Sequence, residues 1–432
     1  MISDHEKTVL SLIDQHQQEL VQLLQQLISY RTITPGEGGG AEGDDYLELQ
    51  ARISHYLAED GFDLESWEID ASVLESFPGS GVDPSRDMAH MPVLVGQRAG
   101  AGQGRSLILN GHYDVVPPGL IENWRHDPFG GVIEDGRIYG RGAADMKGGI
   151  AAMLVALHLI RKAGVELAGD LIVQTVPDEE ATCMGTLSCC QRGYRADAAL
   201  IPEPTGLSVL VAMRGSLWGR ITVPGRAGHA EMAQPHWQDG GAVNAISKAV
   251  PVLQGLESLA EEWQTRPDKQ HRYLDPDTIV PTVIQGGEWE VTYPEQVAIS
   301  FGAMFTPGTM DTREQIEAQL RRVAELDPWL RENPPTLETG EWHYGAEIDE
   351  DEPIVQTGLQ VLRDLGGEPD LIGIGSLTDA VHLINYAGIP TISVGPGGET
   401  AHSADEHVEL ASLVTAAQAI ALIVMRWCGV VA

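Results

Sequence analysis

Lysine is nearly absent from this chain: Lys7, Lys147, Lys162, Lys248 and Lys269 are the only five among 27 basic side chains. Against 63 acids they leave a net charge of −36. Such a field repels nucleic acid and anionic membranes, so neither is an expected partner. It attracts cations, divalent metals included, although solubility or a saline cytoplasm is the plainer explanation. Cysteine is scarce too. Cys183, Cys189, Cys190 and Cys428 fit neither a disulfide framework nor a zinc knuckle, which points to inert thiols in a reducing, cytoplasmic setting. Long apolar runs are missing. The longest uncharged apolar run, Leu410 to Met425, contains Ser412, Thr415 and Gln418 and is shorter than a membrane span, so a buried C-terminal helix is expected. The opening MISDHEKTV has no basic or apolar signal region, and no secretory signal is read. A phosphate loop is lacking as well: GRGAADMKGG (140–149) matches neither GxGxxG nor GxxxxGKS/T, which counts against a nucleotide-dependent enzyme.

What is present reads as a folded chain of more than one domain. Hydrophobic residues make up 43% and charged residues 21% of 432 positions, too many positions for one ordinary core. Helical spacing covers 6–28 and 45–60, with loops at 34–45 and 77–90. From 106 the pattern alternates: strand 106–111, helix 147–163, strand 170–176, a short helix after the acidic turn, and strand 197–202. This predicts a mostly parallel sheet flanked by helices. Near 213 the character changes. A strand, a helix over 241–264, strands 279–285 and 295–305, a helix over 311–326 and a strand at 335–344 follow in the order of a ferredoxin-like unit. The α/β pattern then resumes through helix 353–365, strand 370–374, helix 379–387, strand 390–394 and helix 409–425. An α+β domain at 213–345 is thus inserted into an α/β domain formed by 1–212 and 346–432.

Chemistry-bearing residues gather at the junctions of the larger domain. NGHYDVVP places His112 and Asp114 two apart on a strand end, facing one side, where open α/β sheets place ligands. An imidazole backed by a carboxylate is a common way to orient a metal-ligating histidine. Asp145 sits in a glycine-flanked turn before a helix. Asp178, Glu179 and Glu180 follow a strand in VPDEEATCMGT, Glu203 follows the next in LIPEPTG, and His402 lies in GGETAHSADEH. Singly, each has an ordinary explanation: a helix cap, a solvated acidic face, a loop histidine. Jointly they supply two histidines and at least three carboxylates, with one acid to spare. That inventory suits a hydrolytic two-metal site with nitrogen and oxygen ligands. The spare glutamate beside a ligand suits proton removal from water.

These five motifs, in order and spacing from about residue 20 to the C-terminus, resemble the dinuclear zinc deacylases and exopeptidases. That family includes acetylornithine deacetylase, succinyl-diaminopimelate desuccinylase, aminoacylase and glutamate carboxypeptidase. The resemblance implies two zinc ions per chain, replaceable by cobalt. His112, Asp145 and Glu203 would hold one, and Asp145 would be shared with a second held by Glu180 and His402. It further implies Glu179 as general base toward a water between the metals, Asp114 as the holder of the His112 imidazole, and a cis peptide at Asp145–Met146. The inserted domain would be a lid and dimerisation domain, and His229 in PGRAGHAEM would stabilise the oxyanion, often for the neighbouring subunit of a homodimer. The implied substrate is a small N-acyl amino acid or related amide. A di- or tripeptide is the alternative. A metal-binding protein without catalysis is more remote, because such a protein has no need of Glu179. The resemblance departs at two points. Met304, in ISFGAMFTPG, stands where the family places a carboxylate-binding Arg, and Val291 stands where an Asn is common. A thioether cannot replace a guanidinium clamp, which leaves Arg214, Arg220, Arg226 or a substrate without a carboxylate.

Overall fold

A computed structural model describes residues 2–36, 43–398 and 400–431. The middle of the loop expected at 34–45 lies outside the described residues. The chain divides into two compact units, 1–211 with 347–373 and 378–432, and 212–346 with 374–377.

The first unit is built on a mixed sheet. In spatial order seven of its nine described strands are Asp63–Trp67, Val93–Arg98, Leu171–Val176, Leu107–His112, Ala198–Ile201, Thr391–Ser393 and Val209–Met213. The four central strands run parallel, with Leu107 opposite Leu171 and Ala198, and Thr391 opposite Ala199. These strands are buried along their whole length, as expected where helices cover a parallel sheet. The flanking pairs are antiparallel, a feature the sequence pattern does not announce. Asp63–Trp67 is mostly exposed and lacks the apolar run that marks its neighbours.

Helices supply the rest of this core. Lys147–Lys162 is rich in alanine and buried on nearly every side. It packs against Leu410–Cys428, which is long and apolar enough to cross a membrane but whose residues from Ala416 onward are largely buried in the unit. The helix expected over 6–28 is two, Asp4–Gln15 and Gln17–Ser29. The break falls at His16, whose ring Nδ1 lies 2.8 Å from the Leu12 carbonyl oxygen. A side chain competing for a helix carbonyl of its own turn favours such a break. The loop at 77–90 contains no helix or strand.

The second unit carries a four-stranded antiparallel sheet in the order Thr278–Gly286, Gln296–Phe305, Gly215–Pro224, Thr336–His343. Ala245–Thr265 and Thr312–Leu326 complete the strand–helix–strand–strand–helix–strand succession. Alternation along Gly215–Pro224 turns Leu217, Ile221 and Val223 toward the helices, where they meet Val252, Leu256, Trp263, Ile316 and Leu320.

Candidate metal centre

Three adjacent parallel strands end together and deliver most of the site. His112, the last residue of Leu107–His112, lies level with Val176 at the end of Leu171–Val176. Asp178, Glu179 and Glu180 follow that strand, and Glu203 follows Ala198–Ile201. Asp145 stands just ahead of Lys147–Lys162, and the Asp145–Met146 peptide is cis. His402, at φ +62°, lies between Thr391–Ser393 and Leu410–Cys428.

The carboxylate of Asp145 is divided between the two histidines. Its Oδ1 lies 3.1 Å from His112 Nε2, and its Oδ2 lies 3.4 Å from His402 Nε2. Glu180 Oε2 approaches His402 Nε2 at 2.9 Å. Around His112 Nε2, Glu179 Oε2 stands at 3.8 Å and Glu203 Oε2 at 3.9 Å. Two sets of donors, His112–Asp145–Glu180 and His112–Glu179–Glu203, each converge within 4.8 Å, a spacing that can hold a metal ion. Within these sets Glu180 Oε1 and Glu203 Oε1 are buried without a hydrogen-bond partner. Buried acceptors of this kind are costly unless a cation or donor meets them. Nitrogen and oxygen donors of this mix suit zinc, so the residues present fit the expected metal.

Asp114 differs from its expected role in detail. His112 Nδ1 lies 3.0 Å from the Asp114 main-chain oxygen and 3.6 Å from its carboxylate. The carbonyl is therefore the closer partner of the ring. The carboxylate accepts instead from the Thr34 hydroxyl at 2.7 Å and from the Glu179 and Glu180 amides at 3.3 Å each. It orders the acidic turn as much as the imidazole.

Burial and mutual charge set the protonation of the cluster. Burial alone raises Asp145, but the two histidines hold its carboxyl below the usual range. Hydrogen bonds to Asp145 and Glu180 push His402 up to about 10 although its side chain is 55% exposed. Burial works against the charged form of His112, yet the surrounding carboxylates raise it well above an ordinary histidine. Glu179 and Glu203 are raised by burial and by neighbouring acids.

Several residues of this centre escaped sequence reasoning. Glu406 accepts the amides of Ala144 at 3.0 Å and Asp145 at 3.1 Å, and pairs with buried Arg141. Asp178 was seen in the acidic turn, but its partner Arg86 from the 77–90 loop was not, and burial pushes Asp178 up to about 7. Asp379, fully buried, is pushed up to about 7 for the same reason. The available signal was an acid inside an otherwise apolar or glycine-rich motif, as in LTDAVHL, but it does not say which acids become buried.

The remaining expected residues belong to the second unit. His229 lies on the short strand Gly228–His229, paired with Thr292–Tyr293, and is exposed. Its Nδ1 accepts the Glu231 amide at 3.2 Å. Met304 is half-buried, opposite Thr278 and Ser216. Arg214 spends its guanidinium on the Pro276 and Met304 carbonyls, and Arg226 on those of Trp237 and Gly241 while stacking on Trp329. Arg220 is exposed on its strand.

Comparison with known proteins agrees with this architecture. Residues 108–426 match the model of peptidase family M20/M25/M40. An N-formyl-4-amino-5-aminomethyl-2-methylpyrimidine deformylase of Bacillus subtilis is 32% identical over 96% of this chain and 96% of its own length. A succinyl-diaminopimelate desuccinylase of Alkalilimnicola ehrlichii is 31% identical over 92% and 96%. Among solved structures, an aminopeptidase of Bacillus cereus superposes with a TM-score of 0.72 at 18% identity, covering 96% of this chain and 99% of that one. The YXEP protein of Bacillus subtilis, a dinuclear metal-binding peptidase, does so at 0.63 and 13% identity, covering 96% and 99%. With a family match over most of its length and full-length relatives above 30% identity, this chain belongs to peptidase family M20/M25/M40 and is a hydrolase of amide bonds.

Proposed function

We propose that this enzyme removes a short acyl group from an amine by a two-zinc mechanism. The observation that carries the reading is the division of Asp145 between His112 and His402, since a carboxylate with one oxygen toward each of two histidines is what two neighbouring ions require. His112, Asp145 and Glu203 would hold one ion, and Asp145, Glu180 and His402 the other. Bound there, the ions supply Lewis acidity to the scissile carbonyl and to water. Glu179 takes the proton of the attacking water and returns it to the leaving amine. Burial and its acidic neighbours favour the protonated form of Glu179, which suits the second half of that task. His229 is the proposed donor to the developing oxyanion, and a cytoplasmic homodimer is the proposed working form.

The substrate proposal follows from Met304. Arg214 and Arg226 are committed to main-chain carbonyls, so neither replaces the missing clamp by its present contacts. An amine without an α-carboxylate suits that arrangement. The deformylase named above, whose substrate is described as an N-formyl aminomethylpyrimidine, is a relative of this kind. The test is a panel of N-formyl amines, N-acetyl and N-succinyl amino acids, and dipeptides with zinc-loaded enzyme. The reading expects the formylated, carboxylate-free amines to give the highest kcat/KM. Preference for dipeptides supports an exopeptidase instead. Preference for N-acyl amino acids returns the carboxylate to the site, with Arg220 the first residue to substitute.

A further inference from the structure

Glu406 grips the turn that presents the shared carboxylate. Its Oε1 accepts both the Ala144 and the Asp145 amides, and its other oxygen pairs with Arg141. Its main-chain oxygen accepts the Gly140 amide at 2.8 Å. Arg141 is itself fixed by the Pro117 carbonyl and by the Trp124 ring. Glu406 and Arg141 are both almost completely buried. Four residues earlier on the same segment stands His402, and five residues earlier than Asp145 stands Gly140. One carboxylate therefore ties the segment bearing His402 to the turn bearing Asp145.

We infer that Glu406 is a positioning residue that sets the orientation of Asp145 between the two histidines, and so the balance of metal binding between the two halves of the site. The inference rests on the two-metal reading above. Two amides gripped by one buried carboxylate, itself held by a guanidinium, leave the Asp145 main chain little freedom to rotate. Asp114 grips the Glu179 and Glu180 amides in a parallel way. The Asp145 turn and the Glu179–Glu180 turn are thus each held through the main chain by an acid from another segment. Outer partners of metal ligands commonly change metal affinity or activity about 10- to 100-fold when altered.

The experiment uses the full chain as wild type, Glu406→Gln, Glu406→Asp and Arg141→Lys. Each is stripped of metal and titrated with zinc alone against a chromophoric chelator, and turnover is then measured on the best substrate. Glu406→Asp keeps the charge but shortens the reach to the amides. The expected result is one ion bound within a few-fold of wild type, the other at least about 10-fold more weakly, and a loss in kcat with KM nearly unchanged. The cobalt-loaded variants should show an altered visible absorption spectrum. Wild-type affinity for both ions, with unchanged kcat in folded variants, overturns the inference. If both Glu406 variants fail to fold, Arg141→Lys decides on the same readouts. Wild-type protein that takes up no zinc overturns the two-metal reading itself, and this inference with it.

Discussion

Glu179 is the proposed general base, and its surroundings make a sharp prediction. Its amide is held by Asp114 and its carboxylate lies 3.8 Å from His112 Nε2. Removing the side chain leaves the other donors in place. Glu179→Ala should therefore keep its fold and its zinc content while losing at least about 10²-fold in kcat, the ordinary contribution of a general base. Metal analysis beside steady-state kinetics checks this, and retained turnover would remove Glu179 from its role. The histidines make a second prediction. His402 is pushed up to about 10 and His112 is raised as well, so both hold protons at neutral pH. A cation must displace those protons to reach the ring nitrogens. Zinc affinity should accordingly rise with pH from 6 toward 8, and calorimetry in buffers of different ionisation enthalpy should detect proton release. Affinity that is flat or falls over that window contradicts the sign.

At the scale of elements, the site depends on close approach between a helix and a strand end. Gly149, in the first turn of Lys147–Lys162, faces the Pro202 carbonyl so closely that a Cβ there would stand 1.9 Å from its oxygen. Gly395 presses on the same segment from the other direction, 2.2 Å from the Glu203 oxygen by the same measure. Glu203 is placed by this contact. Gly149→Ala should destabilise the protein by about 1–3 kcal/mol, as overpacking does. It should also lower kcat/KM, because the backbone that must move carries a proposed ligand. Urea denaturation and kinetics on the same preparation test both effects. The C-terminal helix behaves as core: Leu422, fully buried, should cost about 2–5 kcal/mol when cut to alanine, with little change in kcat for the fraction that stays folded.

For the whole molecule, the expected dominant variable is metal occupancy. The cluster brings Asp145, Glu179, Glu180 and Glu203 around two histidines inside a chain of net charge −36. Removing cations from such a centre leaves its acids in mutual repulsion. A chelator should abolish turnover and lower Tm, and added zinc or cobalt should restore both. Free metal at 100 times its Kd contributes about 2.7 kcal/mol per site to the folded state. Chelator-insensitive turnover with unchanged Tm contradicts a metal mechanism.

What the sequence alone determined is what short segments encode. Strand-to-helix junctions carry their own apolar runs, glycines and capping residues, so NGHYDVVP, GRGAADMKGG, DEE and PEPT could be placed at sheet ends without knowing their neighbours. The inserted α+β unit was legible for the same reason, because its strands alternate and its helices have one apolar face. Those motifs carry the resemblance to the family, and that resemblance implies amide hydrolysis. Tertiary structure decided whatever depends on distant partners. Glu406 meets Asp145 across 261 positions, and no local pattern distinguishes it from Asp405 beside it. The division of Asp145 between two histidines, the use of the Asp114 carboxylate on the acidic turn and the burial of Asp379 are likewise products of packing. So is the commitment of Arg214 and Arg226 to carbonyls, which turns Met304 from an oddity of spelling into an argument about the substrate.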